Sequence, residues 1–236
     1  MAVPRNRPVG RLDDLVEVAA AAFSRQGYRR TQMADVARSL GVSAGTLYGY
    51  VEGKEALFDL VVQRAFLDEP PPAPELPVPT PARDALLAHV RRRLGRRAQH
   101  RFLEGALASD GAPAAPAEEV AGVVGELFDY LARHHRGLAL LERCAADHPE
   151  LAELYFARSR RGLHDRLERW IELRIAQGVF RPVPHVEATA RHLVEMAAYG
   201  AWKRHGDPVP GDYSTDVSRS TVVTLVSRAL LSEGSA

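Results

Sequence analysis

The chain has 236 residues, of which 46% are hydrophobic and 26% are charged. These proportions are typical of folded globular proteins and exclude a mostly disordered chain. A single cysteine, Cys144, excludes an internal disulfide, and no apolar run reaches the ~18 residues of a membrane span. Acidic residues at positions 13, 14 and 17 interrupt the stretch where a signal peptide needs its apolar core. Together these features predict a soluble cytoplasmic protein.

The first two predicted helices follow each other closely. Apolar residues recur at helical spacing from Leu12 to Phe23, and Gly27 marks the end of this helix. Thr31 is expected to cap a second helix, because its side-chain oxygen is suited to accept from the free amides of a first turn. Gly41 ends this second helix after about two turns.

A third and a fourth helix are predicted next. Ser43 is expected to cap a short helix that runs through Tyr48, and a fourth helix runs from Lys54 to about Leu67. A helix-turn-helix needs a small residue at the helix crossing, a glycine at the turn and apolar residues that lock the second helix. The residues that meet these needs in order are Ala37, Gly41, Val42 and Leu47.

The outer side of the third helix is small or polar, which suits close approach to a major groove. Gly45 lies inside this helix, where glycine costs ~1 kcal/mol relative to alanine. We infer that close approach outweighs helix propensity at this position.

Residues 69–81 hold seven of the sixteen prolines. Proline lacks an amide donor and fixes φ, so this segment is predicted as an extended polyproline linker. A docking site for a proline-recognising module is the alternative. The predicted domains are residues 1–67 with the helix-turn-helix, the linker 68–81, and a second domain over residues 82–236.

The second domain is predicted to be helical throughout, which makes the fold class all-α. Glycine and proline punctuate its apolar periodicity, and no convincing alternating strand pattern is found. The predicted helices cover residues 82–109, 117–136, 138–146, 150–177, 185–205 and 215–231.

The N-terminal region resembles the tetracycline-repressor-like (TetR) family of bacterial transcriptional regulators. The resemblance covers about residues 12–62. It rests on Ala19-Ala20-Ala21-Ala22-Phe23, Gly27-Tyr28, Thr31, Asp35-Val36-Ala37, Gly41-Val42-Ser43, Gly45-Thr46-Leu47-Tyr48, Tyr50 and Lys54-Glu55-Ala56-Leu57.

The resemblance implies DNA-binding roles for eight residues. Those implied to hold phosphates are Thr31, Thr46, Tyr48, Tyr50 and Lys54, and those implied to face base edges are Ser43, Ala44 and Gly45. The chain departs from the family pattern at Tyr50, Val51 and Gly53, where histidine, phenylalanine and a serine or threonine cap are frequent.

Two basic segments allow more than one interpretation. Arg5, Arg7 and Arg11 form an N-terminal arm that is suited to reach DNA or to remain a solvated tail. The cluster at residues 91–97 is interpreted as a solvated or ion-paired helix face, with an anionic effector site as the alternative.

The resemblance also implies that the second domain binds a small-molecule effector and forms a homodimer. Ligand-lining candidates are Phe102, Leu103, Phe128, Leu131, Tyr155 and Trp170, and candidates to orient a ligand are His100, Cys144 and His164. Most of these are expected to be plain core. Dimer candidates are Ala190, Val194, Ala197, Ala201, Val217, Thr221, Thr224 and Leu225, with an intrachain core as the alternative.

The predicted function is a ligand-responsive repressor that a small molecule releases from a near-palindromic double-stranded DNA operator. No cofactor, metal site or membrane partner is predicted. Phosphate-loop, dinucleotide, zinc-protease and serine-hydrolase motifs are absent from the sequence, which argues against an enzyme. An activator, or a helix-turn-helix protein that serves as an interaction module without binding DNA, is the alternative.

Overall fold

The fold was obtained as a computed structural model, which describes residues 9–67, 72, 74–82, 84–94, 100–109 and 111–232. Over these residues the regular elements are all helices, and backbone pairing of the β type is confined to two isolated bridges. The predicted all-α class is therefore confirmed.

The chain divides into two compact units. The first comprises the described residues of Met1–Gly95 together with Arg136–Phe156, and the second comprises those of Arg96–His135 and Ala157–Ala236. The boundaries predicted from the sequence, at residues 67 and 82, concern functional domains and stay a prediction.

The first unit contains the helix-turn-helix and the elements packed on it. Its complete helices are α1 (Val9–Gln26), α2 (Met33–Ser39), α3 (Ala44–Leu47), α4 (Lys54–Ala65), α5 (Ala85–Leu94) and, near its end, α8 (Pro149–Ala152). Helix α1 packs on α2 and α4, and α4 packs on α5. The predicted inward face of α1 is confirmed, because Leu15 and Phe23 are fully buried.

The second unit is a helical bundle. Its complete helices are α6 (Arg101–Ala108), α9 (Arg161–Ala176), α10 (Val186–Ala201) and α11 (Thr215–Leu230). Helix α9 packs on α6 and α10, and α10 packs on α11. Helix α7 (Pro116–Ala145) belongs to this unit up to His135 and to the first unit from Arg136 onward.

Helix α7 corrects the prediction of two helices over 117–136 and 138–146. Gly137 lies inside one 30-residue helix. A Cβ at this position would come within 2.6 Å of the Phe66 ring. The glycine therefore permits an aromatic ring to pack closely on the helix and does not end it.

Three other predicted helices change at their ends or interiors. The helix predicted over 82–109 is interrupted at His100, whose backbone is not helical and whose ring is buried beside Tyr130. A π-helical segment, Glu153–Arg160, lies between α8 and α9, and a 3-10 turn, Lys203–Gly206, follows α10. The helix predicted over 215–231 is confirmed as α11.

The proline-rich segment is partly fixed to the helix-turn-helix. The Val78 amide donates to the Tyr50 carbonyl at 2.8 Å, and the Glu52 amide donates to the Val78 carbonyl at 3.0 Å. The Thr80 amide also donates to the Glu52 carboxylate at 2.8 Å. Residues 74–81 therefore continue the first unit, while residues 68–71 and 73 lie outside the described part of the chain.

Candidate nucleic-acid interface

The turn between α2 and α3 depends on glycine. Gly41 has φ +70°, a left-handed conformation that L side chains rarely adopt. The following amide, from Val42, donates to the Ala37 carbonyl at 3.0 Å and so closes the end of α2. Leu47 is fully buried and holds α3 against this turn. The predicted helix-turn-helix is present.

Helix α3 has the cap and the small outer face expected from the sequence. The Ser43 hydroxyl accepts from the Thr46 amide at 3.1 Å, which confirms the predicted cap. Ser43, Ala44 and Gly45 are all exposed. A Cβ at Gly45 would meet no atom closer than 3.9 Å, so no described residue packs tightly against this position.

Tyr48 and Thr46 lie beside this surface. The Tyr48 ring is 48% exposed immediately after α3. The Thr46 hydroxyl shares a hydrogen bond of 2.9 Å with that of Ser43. Tyrosine, serine and threonine hydroxyls are groups that bind phosphate oxygens.

Thr31 and Tyr50 are placed differently from the expectation. Thr31 is 2% exposed, and its hydroxyl donates to the Gly27 carbonyl at 2.8 Å. It closes the end of α1, while Gln32 occupies the cap position of α2 without a side-chain hydrogen bond. Tyr50 is 1% exposed beside the bridge to Val78. Both residues belong to the core of the first unit, so their phosphate-binding role has no support from their position.

Lys54 begins α4 and joins it to the turn after α1. Its ammonium donates to the Arg29 carbonyl at 3.1 Å and lies 4.6 Å from the centre of the Tyr28 ring. Burial lowers the pKa of Lys54, and nearby Glu55 opposes that shift. Burial raises the pKa of Tyr28 to about 12, so its hydroxyl stays protonated.

Sequence reasoning missed Asp147, which anchors the same turn. Its carboxylate accepts from the Arg29 amide at 3.0 Å. A Cβ at Gly27, where φ is +85°, would lie 2.6 Å from the same carboxylate oxygen. Since Asp147 is 118 residues from Arg29, no local sequence signal pointed to this contact.

The basic segments are only partly described. Arg11 is exposed near the start of α1, whereas Arg5 and Arg7 lie outside the described residues. Arg91 and Arg92 are exposed on α5. The side chain of Arg93, and Arg96 and Arg97 as a whole, lie outside the described part. Both alternatives for each segment stay predictions.

The ligand-lining candidates are distributed over both units. Phe102 is exposed, and the buried members are Leu103, Phe128, Leu131, Tyr155 and Trp170. Tyr155 belongs to the first unit and the others to the second. The Trp170 indole donates to the Glu119 carboxylate at 2.8 Å and its ring packs edge-on against Phe180. The five buried side chains lie in the core of the chain, as most were expected to, and a ligand role for all six stays a prediction.

The three candidates to orient a ligand, His100, Cys144 and His164, are also buried. Burial lowers the pKa of His100 to about 4, so this imidazole is neutral at pH 7. Burial raises the pKa of Cys144 to about 12, so the thiol is un-ionised and poorly reactive. Among the described residues no group of three or more metal-ligating side chains is suited to hold an ion.

The dimer candidates divide by helix. The four on α10 are buried within the single chain: Ala190, Val194, Ala197 and Ala201. Helix α10 packs on α9 and α11 within the chain, and a dimer role for these four residues stays a prediction. The four on α11 are exposed: Val217, Thr221, Thr224 and Leu225.

In the part of the chain described, no helix is long and apolar enough to cross a membrane.

Comparison with known proteins agrees with this geometry. Residues 15–61 match the family model of bacterial regulatory proteins of the tetR family. The HTH-type transcriptional repressor KstR2 of Rhodococcus jostii (strain RHA1) is 37% identical over 60 residues, which are 25% of this chain and 29% of that relative. The repressor of the same name from Mycolicibacterium smegmatis is 23% identical over 211 residues, which are 88% of this chain and 86% of that relative.

The fold is similar over the full length of a solved structure. The ketosteroid transcriptional regulator KstR2 of Mycobacterium tuberculosis superposes with a TM-score of 0.58 at 20% identity, and the match covers 98% of this chain and 99% of that one. Likeness at this identity shows the fold, whereas function depends on the site. The helix-turn-helix region, residues 15–61, is therefore similar to the tetR family of bacterial regulatory proteins, and the all-α fold of the chain is similar to that of a solved transcriptional regulator.

Proposed function

We propose that this chain is a DNA-binding transcriptional regulator, acting as a homodimeric repressor that a small-molecule effector releases from a near-palindromic operator. The observation that carries the proposal is the outer surface of α3, formed by Ser43, Ala44 and Gly45. These exposed residues add no bulk, so the helix backbone can approach the floor of the ~12 Å wide major groove.

Contacts to the DNA backbone come from the rim of this surface. Tyr48 and Thr46 offer hydroxyl groups, and Lys54 supplies a positive charge at the start of α4. Phosphate contacts of this kind fix the position of a protein on the duplex, and base contacts specify the sequence. Thr31 and Tyr50 support the site from the core.

A second copy of the chain is proposed to cover the exposed face of α11. Val217 and Leu225 are 52% and 51% exposed, and Thr221 lies on the helix between them. Apolar groups that recur along one exposed helix face favour a two-fold contact in which the same helix of each copy takes part. Such a dimer would present two α3 helices to major grooves ~34 Å apart.

The effector is proposed to act through linkage. A ligand that binds one conformation of the second unit more tightly shifts the equilibrium by its difference in affinity, typically 1–3 kcal/mol. Repression is supported by the names of the two relatives, both of which are transcriptional repressors. We propose that the chain is not an enzyme, needs no cofactor and acts in the cytoplasm.

Selection of genomic DNA fragments on the purified protein tests this function. Ala44→Glu places a carboxylate on the outer surface of α3, and Ala117→Glu places one on an equally exposed first turn, that of α7. Both substitutions are favourable for their helices, because an acidic residue near a helix N-terminus is stabilising.

We expect the wild-type protein and Ala117→Glu to enrich the same near-palindromic fragments, and Ala44→Glu to enrich none. If the wild-type protein enriches no sequence, or if Ala44→Glu enriches as well as wild type, the proposed function is wrong.

A further inference from the structure

A cavity of about 360 Å³ lies between α9 and the beginning of α10, within the second unit. Its size is near the lower end of the range for small-molecule sites. Charged and imidazole side chains dominate its walls: Arg161, His164, Glu168, His185, Glu187, Ala188, Arg191 and His192.

The charges in this cavity are separated into two ends. Helices α9 and α10 run in opposite directions, since Arg160 before α9 pairs at 2.6 Å with Glu195 late in α10. Farther along α9, Glu168 faces Glu187 in the first turn of α10, and burial, followed by this carboxylate, raises the pKa of Glu168. One end of the cavity is therefore acidic.

The other end holds two arginines, of which Arg161 donates through Nε to Asp165 on the same helix at 3.3 Å. Arg161 lies seven residues before Glu168 on α9, and Arg191 lies four residues after Glu187 on α10. At 1.5 Å of rise per residue, the basic and acidic groups are ~6–10 Å apart along the helices. Arg191 approaches Glu195 only to 3.8 Å, beyond hydrogen-bond distance.

His164 lies in the wall near the basic end. Its side chain is 94% buried, being 6% exposed, and its Nε2 has no hydrogen-bond partner among the described residues. Burial lowers the pKa of His164, and Arg191 and Arg160 lower it further. Unpaired buried polar atoms are rare in proteins and unfavourable, so a neutral imidazole here is suited to a polar ligand group that reaches into the wall.

We propose that this cavity binds a small zwitterion, whose anionic group lies against Arg161, Arg191 and His164. Its cationic group lies between Glu168 and Glu187. The two groups should be separated by the ~6–10 Å that separate the two ends, which corresponds to an ω-amino acid or the two charged ends of a basic amino acid. In the proposed function, a ligand in this cavity would be the effector. Only this regulatory role rests on the proposed function, and binding of the zwitterion does not.

The test is a titration of the full-length protein with 6-aminohexanoate, followed by the imidazole resonances in a ¹H–¹³C NMR spectrum. Hexanoate and hexylamine, each with one charged group, are the matched ligands. Glu168→Gln removes one acidic group, and Glu172→Gln is the control, because Glu172 is exposed on the same helix and does not line the cavity.

We expect saturable shifts of the signals of His164, His185 and His192, with hexanoate and hexylamine each binding on the order of tenfold more weakly, since tenfold corresponds to ~1.4 kcal/mol. Glu168→Gln should weaken the binding of 6-aminohexanoate by a similar factor and leave the affinity for hexanoate unchanged. Glu172→Gln should change neither affinity.

Absence of saturable shifts, equal binding of all three compounds, or equal effects of the two variants would overturn the proposal. Because no DNA is present, each of these results is independent of whether the chain binds an operator.

Discussion

The buried contact between Glu119 and Arg174 gives a sharp prediction for the stability of the second unit. Arg174 on α9 is fully buried, and its Nε and a terminal nitrogen each donate to a different Glu119 oxygen at 2.7 Å. The same guanidinium donates to the Ala106 carbonyl at 3.0 Å and to Gln177 at 2.7 Å. This one side chain therefore joins α6, α7 and α9.

Glu119→Gln keeps the shape of the side chain and removes its charge. The Arg174 charge is then left buried without a counter-ion, which costs about 3–5 kcal/mol. Since native proteins are stable by about 5–15 kcal/mol, this is a large share of the total. In a chain of this size the loss corresponds to a fall in Tm of roughly 6–20 °C.

The assay is urea unfolding followed by circular dichroism, with Asp35→Asn as the control. Asp35 forms an ion pair of 2.9 Å with Arg38, whose side chain is 77% exposed. Exposed pairs of this kind contribute about 0–1 kcal/mol. If Glu119→Gln costs no more than Asp35→Asn, the reasoning on the buried pair is refuted.

Three further predictions concern glycines and a buried histidine. Gly45→Ala should leave the unfolding free energy unchanged or higher, but in a gel-shift titration it should weaken DNA binding about tenfold, equivalent to ~1.4 kcal/mol. Gly105 also lies in a helix with open space around it, and Gly105→Ala should leave the DNA affinity unchanged in the same titration. Gly137→Ala should cost about 1–3 kcal/mol in urea unfolding by driving a Cβ into the Phe66 ring, and no loss would contradict the close packing. Burial lowers the pKa of His100 from 6.5 to about 4, so the free energy of unfolding should fall as pH falls from 6.5 towards 4. His100→Phe should flatten this part of the pH profile of stability. An unchanged profile in the variant would contradict the role of His100.

The helix-turn-helix was predictable because its signals are local. Gly41 needs a left-handed backbone, Ser43 caps the helix that follows it, and Leu47 anchors that helix within a few residues. Each effect acts between neighbours in the chain, so spacing alone places the outer surface of α3.

Contacts between distant segments were not predictable in the same way. Tyr50 is buried where the proline-rich segment pairs with its backbone through Val78, whereas composition alone predicted an extended polyproline linker there. Gly137 resembles a helix end in sequence, but its role depends on the ring of Phe66, which follows α4 directly. The sequence offered His164 as a residue that orients a ligand, but the cavity beside it forms only where α9 and α10 pack together, so the other residues that line it could not be named.

The most direct test of the central claim is the salt dependence of DNA affinity, measured for the best genomic fragment. The chain has two lysines, Lys54 at the start of α4 and Lys203 in the second unit, which give a matched pair of Lys→Gln variants. We predict a steep linear fall of log affinity with log salt, a slope shallower by ~0.9 for Lys54→Gln, and the wild-type slope for Lys203→Gln. Equal slopes for all three proteins would contradict the assignment of Lys54 and the α3 surface to DNA.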